Sequence, residues 1–336
     1  MILAGFIPIG ESFEAWFEKS DAFPPLLDPI RRALPTLAVF LFALTATLIG
    51  KADVGHYALV GSALTHITVF VALWSVLWKD ASGEIPPRYR SPNQPILSSK
   101  LIKNLLGFRT ISLVVAVTAY SIVSLNLTIG RLESVVLLSL GFFWLTWMAS
   151  QERRESVPSV VPLFDSHSKE PPEAGEDWES TRMHRFFSEK LGPIGIAPFA
   201  GIGLLLILFG SVLVILGLEQ FAERNAHIYN LAGTLILGFS LSTAPLLLQL
   251  AMYRKFGPNL GVILDQIVFL LLIYPGICSL LRTPLLSSDL TMWDLPTLLM
   301  LSIVLALALL TGKSPSHKLG LFLLVCYLGL MTAKLI

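Results

Sequence analysis

Asp265 stands in "GVILDQIVFLLL", and it is the only acid that the sequence places well inside a long apolar run, with Gln266 beside it. A carboxylate at such depth is costly because nothing apolar solvates it, and residues of this kind mark ion or proton pathways by default. The same acid can also serve packing alone, protonated or pinned to a backbone N–H or to Gln266, and the two readings weigh about equally. His66, in "GSALTHITVF", occupies the facing position in the first half of the chain. Histidine titrates in the physiological range, so exchanging a proton with Asp265 is chemistry it could perform. A lone histidine is more often a hydrogen-bonded packing residue, since buried polar groups find partners. Around these two the sequence offers small hydroxyls: Thr36 in "LPTL", Ser62 in "GSAL", and Ser240, Ser242 and Thr243 in "GFSLSTAP". They are neutral oxygen ligands, and a bare divalent cation wants six or more oxygens with carboxylates among them.

The elements that must hold these residues are membrane helices. Hydrophobic residues make up 54% of the chain and charged ones 14%, and the mean hydropathy is +0.71, too apolar for a water-soluble globular protein. A spanning helix needs ~20 mostly apolar residues, and nine such segments are expected: Leu34 to Ile49, Val54 to Trp78, Leu105 to Leu125, Ser134 to Ser150, Ile194 to Leu218, His227 to Met252, Leu260 to Leu281, Leu295 to Leu310 and Lys318 to Ile336. Residues 1–33 carry Glu11, Glu14 and Glu18 soon after a short apolar start, which fits an interfacial segment rather than a span or a signal peptide. Residues 151–193, rich in Pro, Ser and acids, form a linker between two membrane halves, 34–150 and 194–336.

Lys and Arg crowd on one side of this arrangement, whereas the other side holds only Lys51, Arg131, Arg224, Arg282 and Lys334. Basic loops stay cytoplasmic, so a plasma or inner membrane protein is expected with its N-terminus and linker inside and its C-terminus outside. The net charge of +1 gives no reason to expect a nucleic-acid partner. Cys278 and Cys326 are the only cysteines, which leaves no thiol cluster with metal-ligand spacing. Trp74, Trp78, Trp144, Trp147 and Trp293 read as interface anchors. Arg109, near the start of a span, can snorkel to the cytoplasmic side, and Gly61, Gly107 and Gly141 read as close-packing points.

The two halves repeat. "IGRLESVVLLSLGFFWLTWM" and "SPSHKLGLFLLVCYLGLMTA" each follow a short polar turn with the half's last helix. "ALPTLAVFLFALTATLIGKADVGHYALVGSALTHITVF" and "SLSTAPLLLQLAMYRKFGPNLGVILDQIVFLLL" each join two helices by a glycine-bearing turn. Four spans precede the linker and five follow it, so corresponding helices run in opposite directions. Inverted repeats with helices interrupted near the midplane are a recurring transporter plan. Gly238 to Pro245 is then expected to mark the interruption in one half, and Pro35 with Thr36 its counterpart in the other.

These residues resemble the cation/calcium exchanger superfamily, in which each inverted half carries a G-T-S-x-P-E signature, a short turn like G-E-x-D and a G-N-x-x-G-S-N signature. "GFSLST" is similar to the first signature, "GKADVGHYALVGSALTH" to the turn and the second, and "GRLES" and "SHKLG" to the start of each half's last helix. The resemblance implies an all-α polytopic fold and a cation site where the signature helices meet. The family's cation-binding glutamates fall on Thr36 and Thr243, so the implied site lacks both carboxylates. The asparagine of the second signature falls on Ala63 and on Gln266 or Ile267. One helix of the first half is missing as well.

Three functions follow from the sequence. The first is a secondary transporter on the exchanger plan with altered cation chemistry, carrying a monovalent cation, a proton-coupled solute or a weakly bound divalent. The second is a non-transporting structural or regulatory subunit, with partner membrane subunits. The third is an inverted-repeat organic anion carrier. No P-loop, H-E-x-x-H, G-x-S-x-G or dinucleotide fingerprint occurs, so neither an enzyme nor a cofactor is expected. The pathway candidates are Thr36, Ser62, His66, Ser240, Ser242, Thr243, Asp265 and Gln266, with the metal, if any, left open. The bilayer itself is the partner common to every reading.

Overall fold

The computed structural model describes residues 33–77, 99–154, 192–224, 232–243, 245–246, 260–311 and 316–335. The N-terminal segment and most of the linker lie outside the described residues. Among the described residues, nine helical elements follow one another. α1 (Leu37–Leu48) is entered through a 3-10 turn, Leu34–Thr36. α2 runs over Ala52–Thr65, a π-helical turn His66–Phe70, and Val71–Leu77. α3 (Ser99–Val123), α4 (Arg131–Arg154) and α5 (Gly192–Arg224) come next. α6 (Thr234–Thr243) begins within a π-helical turn, Ala232–Ile236. α7 (Leu260–Leu281) contains the π-helical turn Phe269–Ile273, α8 (Leu290–Leu310) starts with another, Leu290–Asp294, and α9 is His317–Leu335.

Seven of these are long and apolar enough to cross a membrane, where nine spans were expected. The other two, Leu34–Leu48 and Thr234–Thr243, are shorter apolar helices among the described residues. Ala33, just before the 3-10 turn, is itself helical and the residues before it lie outside the described residues, as does much of the expected His227 to Met252 segment. The surface confirms the solvent. Phe142, Phe143, Leu205, Phe209 and Leu321 are all exposed, and together they make far more apolar surface than a water-soluble monomer leaves open. The protein is a multi-pass integral membrane protein.

Two helices form its centre. The apolar stretches of α2 and α7 are 89% and 94% buried against other helices, whereas those of α5 and α9 are 28% and 22% buried and face outward. α1 lies along α2, to which it is joined by a tight turn. Gly50 sits there at φ +95, and the N–H groups of Gly50 and Lys51 bond the carbonyls of Thr47 and Ala46. That pairing satisfies the last carbonyls of α1 and needs a left-handed residue, hence glycine. α6 crosses α2, α3 lies against α8 and the first half of α7, the end of α7 packs on α4, and the end of α2 packs on α9. The loops after α3 and α7 are tied together, with the Leu286 N–H donating to the Leu127 carbonyl at 2.8 Å.

Of the stretch Gly238 to Pro245, where an interruption was expected, the residues through Thr243 are helical and Ala244 lies outside the described residues; an irregular turn precedes them, over Ala232–Ile236. Thr243 bonds back to the carbonyl of Phe239 at 3.1 Å, which returns its hydroxyl to its own helix. The tryptophans divide. Trp147 and Trp293 are exposed, but Trp74 and Trp144 are buried, the latter edge-on to Phe269 at 5.6 Å. Gly61 and Gly141 are close-packing points, while the nearest atom to a Cβ on Gly107 would be 3.8 Å away.

Candidate functional site

The crossing of α2 and α6 explains the glycine of "GFSLSTAP". A Cβ on Gly238 would lie 2.3 Å from the backbone carbon of Gly61, so the two helices touch backbone to backbone. Ser62 donates to the Gly238 carbonyl at 3.2 Å, and Thr65 returns its hydroxyl to the Gly61 carbonyl at 2.9 Å. His66 lies one turn on, fully buried, with Nδ1 2.6 Å from the Ser62 carbonyl. A carbonyl only accepts, so the ring proton sits on Nδ1. Its ring leans on Phe70 at 4.2 Å, and the Gln266 side chain of α7 lies near the ring. Ser62, His66 and Gln266 are therefore brought together.

Thr36 belongs to a different contact. Its hydroxyl donates to the Ala33 carbonyl at 2.7 Å and meets the Tyr274 hydroxyl of α7 at 3.1 Å. Ser242 is buried, Thr243 half-buried and Ser240 exposed on the outer side of α6. Of these three α6 hydroxyls, only Ser242 is thus held in the interior.

Asp265 is fully buried, and Arg109 of α3 is its partner: Nε lies 3.2 Å from Oδ1, with the arginine side chain 9% exposed. Where snorkelling was expected, Arg109 is instead buried, because α3 packs against the first half of α7 and brings its guanidinium to the Asp265 carboxylate. Asp265 is also not alone. Asp294, at the end of the first π-helical turn of α8, is fully buried and held by Lys334 of α9, whose Nζ is 2.6 Å from both carboxylate oxygens. The sequence reading missed this second pair because "MWDLP" looks like a helix boundary, with Trp293 before the acid and Pro296 just after it, and because Lys334 falls near a span end. The one legible signal was an acid and a lysine at the same end of two adjacent spans.

A third polar junction was also missed. His56 of α2 is fully buried, with Nδ1 2.8 Å from the Tyr120 hydroxyl of α3 and Nε2 2.9 Å from the Ser279 hydroxyl of α7. One imidazole thereby joins three helices near one end of the bundle. Among the described residues no three His, Cys, Asp or Glu side chains gather as a metal site would require.

The fold has known counterparts. It superposes on the crystal structure of an H+/Ca2+ exchanger with a TM-score of 0.64, at 15% identity, over 99% of this chain and 82% of that one. On the sodium-calcium exchanger NCX_Mj the TM-score is 0.57, at 16% identity, over 99% of this chain and 94% of the other. The class is thus a polytopic membrane protein with the fold of the cation exchangers. No protein-family model and no curated protein matches the sequence.

Proposed function

We propose that this protein is a secondary transporter built on the exchanger plan, in which the paired glutamates of a calcium site are replaced by a charge-compensated centre. The buried Asp265–Arg109 pair carries the reading. A carboxylate inside a bilayer is retained chiefly where ions or protons pass, and here it joins α3 to α7, one of the two central helices. Its guanidinium neutralises it while α3 and α7 are together, so a monovalent cation or a proton-coupled solute would gain access only as they part.

The architecture in this proposal is two inverted halves, 34–150 and 194–336, joined by the cytoplasmic linker 151–193, with the N-terminus inside and the C-terminus outside. Reciprocal packing supports it. The end of α7 lies on α4, the last helix of the first half, and the end of α2 lies on α9, the last helix of the second. α2 and α7 each also carry a mid-helix π turn, His66–Phe70 and Phe269–Ile273. Cysteine labelling of the Glu173 to Glu179 region from outside intact cells should fail, and success would overturn this orientation.

One observation favours a second reading, a non-transporting subunit of a membrane complex: α2 and α6 meet backbone to backbone with Ser62 and Thr65 already bonded. Proteoliposome flux across sodium, potassium, calcium and proton gradients separates the two. The transporter reading expects flux that Asp265→Asn removes, with the folded state checked by gel filtration. Absence of flux in every gradient leaves the subunit, and flux unchanged by Asp265→Asn ends the role given to this residue.

A further inference from the structure

Asp294 and Lys334 differ from the other buried pair in a way that matters chemically. Arginine presents a planar fork of donors, whereas lysine ends in a compact ammonium, a point charge close in kind to a bound alkali cation. Arg109 is thus a fixed counter-charge to Asp265, whereas Lys334 sets a cation-sized charge on Asp294. Its Nζ sits equally close to both oxygens of Asp294, at 2.6 Å, where a small bound cation would sit. The Thr234 hydroxyl of α6 is the other polar group turned toward this carboxylate, without a well-formed hydrogen bond to it. Asp289, on the preceding turn of the chain, is the remaining charge that acts on it. Lys334 also ends α9, where the unpaired helix carbonyls favour positive charge.

The local backbone is special on both sides. Asp294 closes the π-helical turn Leu290–Asp294, and Thr234 lies in the π-helical turn Ala232–Ile236. Such turns are rare and occur frequently at functional sites. The position is also coupled to the centre, because a Cβ on Gly61 of α2 would meet the Thr234 carbonyl at 1.6 Å. Whatever moves Thr234 presses directly on the α2–α6 crossing.

We propose that the Asp294 carboxylate, with the Thr234 hydroxyl, is a monovalent alkali-cation site whose resident occupant is the Lys334 ammonium. Binding is an exchange: the cation joins the carboxylate, Lys334 leaves as the neutral amine, and its proton goes to solvent. One positive charge enters and one departs, so the buried charge is unchanged. Lys334 then acts as a tethered competitor that makes cation binding depend on pH. The place of this site in transport rests on the function proposed above, but the exchange itself does not.

The experiment is a titration of the purified full chain in nanodiscs with lithium, sodium and potassium chloride in weak buffer, reading heat and proton release together. At least one cation should release about one proton per ion bound, and its affinity should rise about tenfold per pH unit, as linkage requires for a one-proton exchange. Asp294→Asn should abolish both signals. Lys334→Gln should bind the cation more tightly, release no proton and lose the pH dependence. Wild-type protein that releases no proton with any of the three cations overturns the proposal, whatever the variants do, and so does release that survives in Asp294→Asn. Proton release in a protein without flux keeps this site and removes the transport reading, whereas flux without proton release does the reverse.

Discussion

Gly61 and Gly238 face one another across α2 and α6 with no side chain between them: a Cβ on Gly61 would lie 3.1 Å from the Cα of Gly238, and one on Gly238 would lie 2.5 Å from the Cα of Gly61. The atoms in the way are backbone, so neither helix can yield by turning a rotamer. Overpacking of an ordinary core costs about 1–3 kcal/mol and occasionally more, and this contact belongs at or beyond the upper end. Gly61→Ala and Gly238→Ala should each lower the melting temperature in detergent sharply or abolish folded yield. Gly107→Ala is the control. Its Cβ meets nothing closer than 3.8 Å, and alanine is the better helix former by about 1 kcal/mol, so that variant should be neutral or slightly stabilised. Equal tolerance of all three would show that the crossing is looser than described.

The Asp265–Arg109 pair predicts strong coupling. Removing one partner of a buried ion pair strands the other charge and typically costs about 3–5 kcal/mol, whereas removing both costs much less. Asp265→Asn and Arg109→Gln should each destabilise the fold, and the double variant should recover most of the loss. A double-mutant cycle on thermal or denaturant stability measures this directly. Additive effects of the two changes would mean that the pair does not act as a unit.

His56 makes a different prediction because neutral groups are involved. Tyr120 and Ser279 can each donate or accept, so either neutral tautomer of the imidazole is satisfied. His56→Ala leaves two buried hydroxyls without this partner and opens a cavity, with an expected cost of about 1–3 kcal/mol for the polar term alone. Tyr120→Phe should cost less, since Ser279 keeps its bond to the ring. A stability ranking in the opposite order would place the weight of this junction on the tyrosine rather than on the histidine.

What was legible in the sequence was mostly what depends on apolar runs. The course of α2, α3, α4, α5, α7, α8 and α9 follows from stretches long enough to span, and the resemblance of "GFSLST" and "GSALTH" to exchanger signatures agrees with the fold. Partnerships were not legible. Asp265 stands out alone in its segment because Arg109, the residue that neutralises it, is 156 positions away in the chain, and no periodicity links α3 to α7. Asp294 and Lys334 each look like boundary residues until two helix ends are laid side by side. Gly238 was read as a helix breaker, yet its effect is visible only in the helix that crosses it. The π-helical turn Ala232–Ile236 was not legible either, since Thr234 is the only polar side chain in it to announce an irregularity.

The calcium question gives the last prediction. By the resemblance drawn from the sequence, the glutamates of the exchanger signatures fall on Thr36, whose hydroxyl is engaged by Ala33 and Tyr274, and on Thr243, which bonds the Phe239 carbonyl. Neither supplies negative charge. A calcium ion needs six to eight hard oxygens, and its affinity is tuned by the number of charged ligands among them. The two fully buried carboxylates among the described residues do not repair the deficit, because Asp265 and Asp294 already have Arg109 and Lys334 within ion-pair distance. A divalent ion would have to displace a protein cation and still find further anionic oxygens. Calcium should therefore bind no more tightly than the millimolar range in equilibrium dialysis of the purified protein, and Thr36→Ala and Thr243→Ala should leave that weak binding unchanged. Micromolar calcium affinity lost on changing either threonine would show that the hydroxyls ligate the ion after all. The converse substitutions sharpen the test. Thr36→Glu with Thr243→Glu would place two carboxylates at these positions, and a gain of calcium binding of at least tenfold in that double variant would show that the scaffold brings the two positions to one ion. No gain would mean that the exposed side of α6 has carried Thr243 away from Thr36, as its half-buried position and local hydrogen bond suggest.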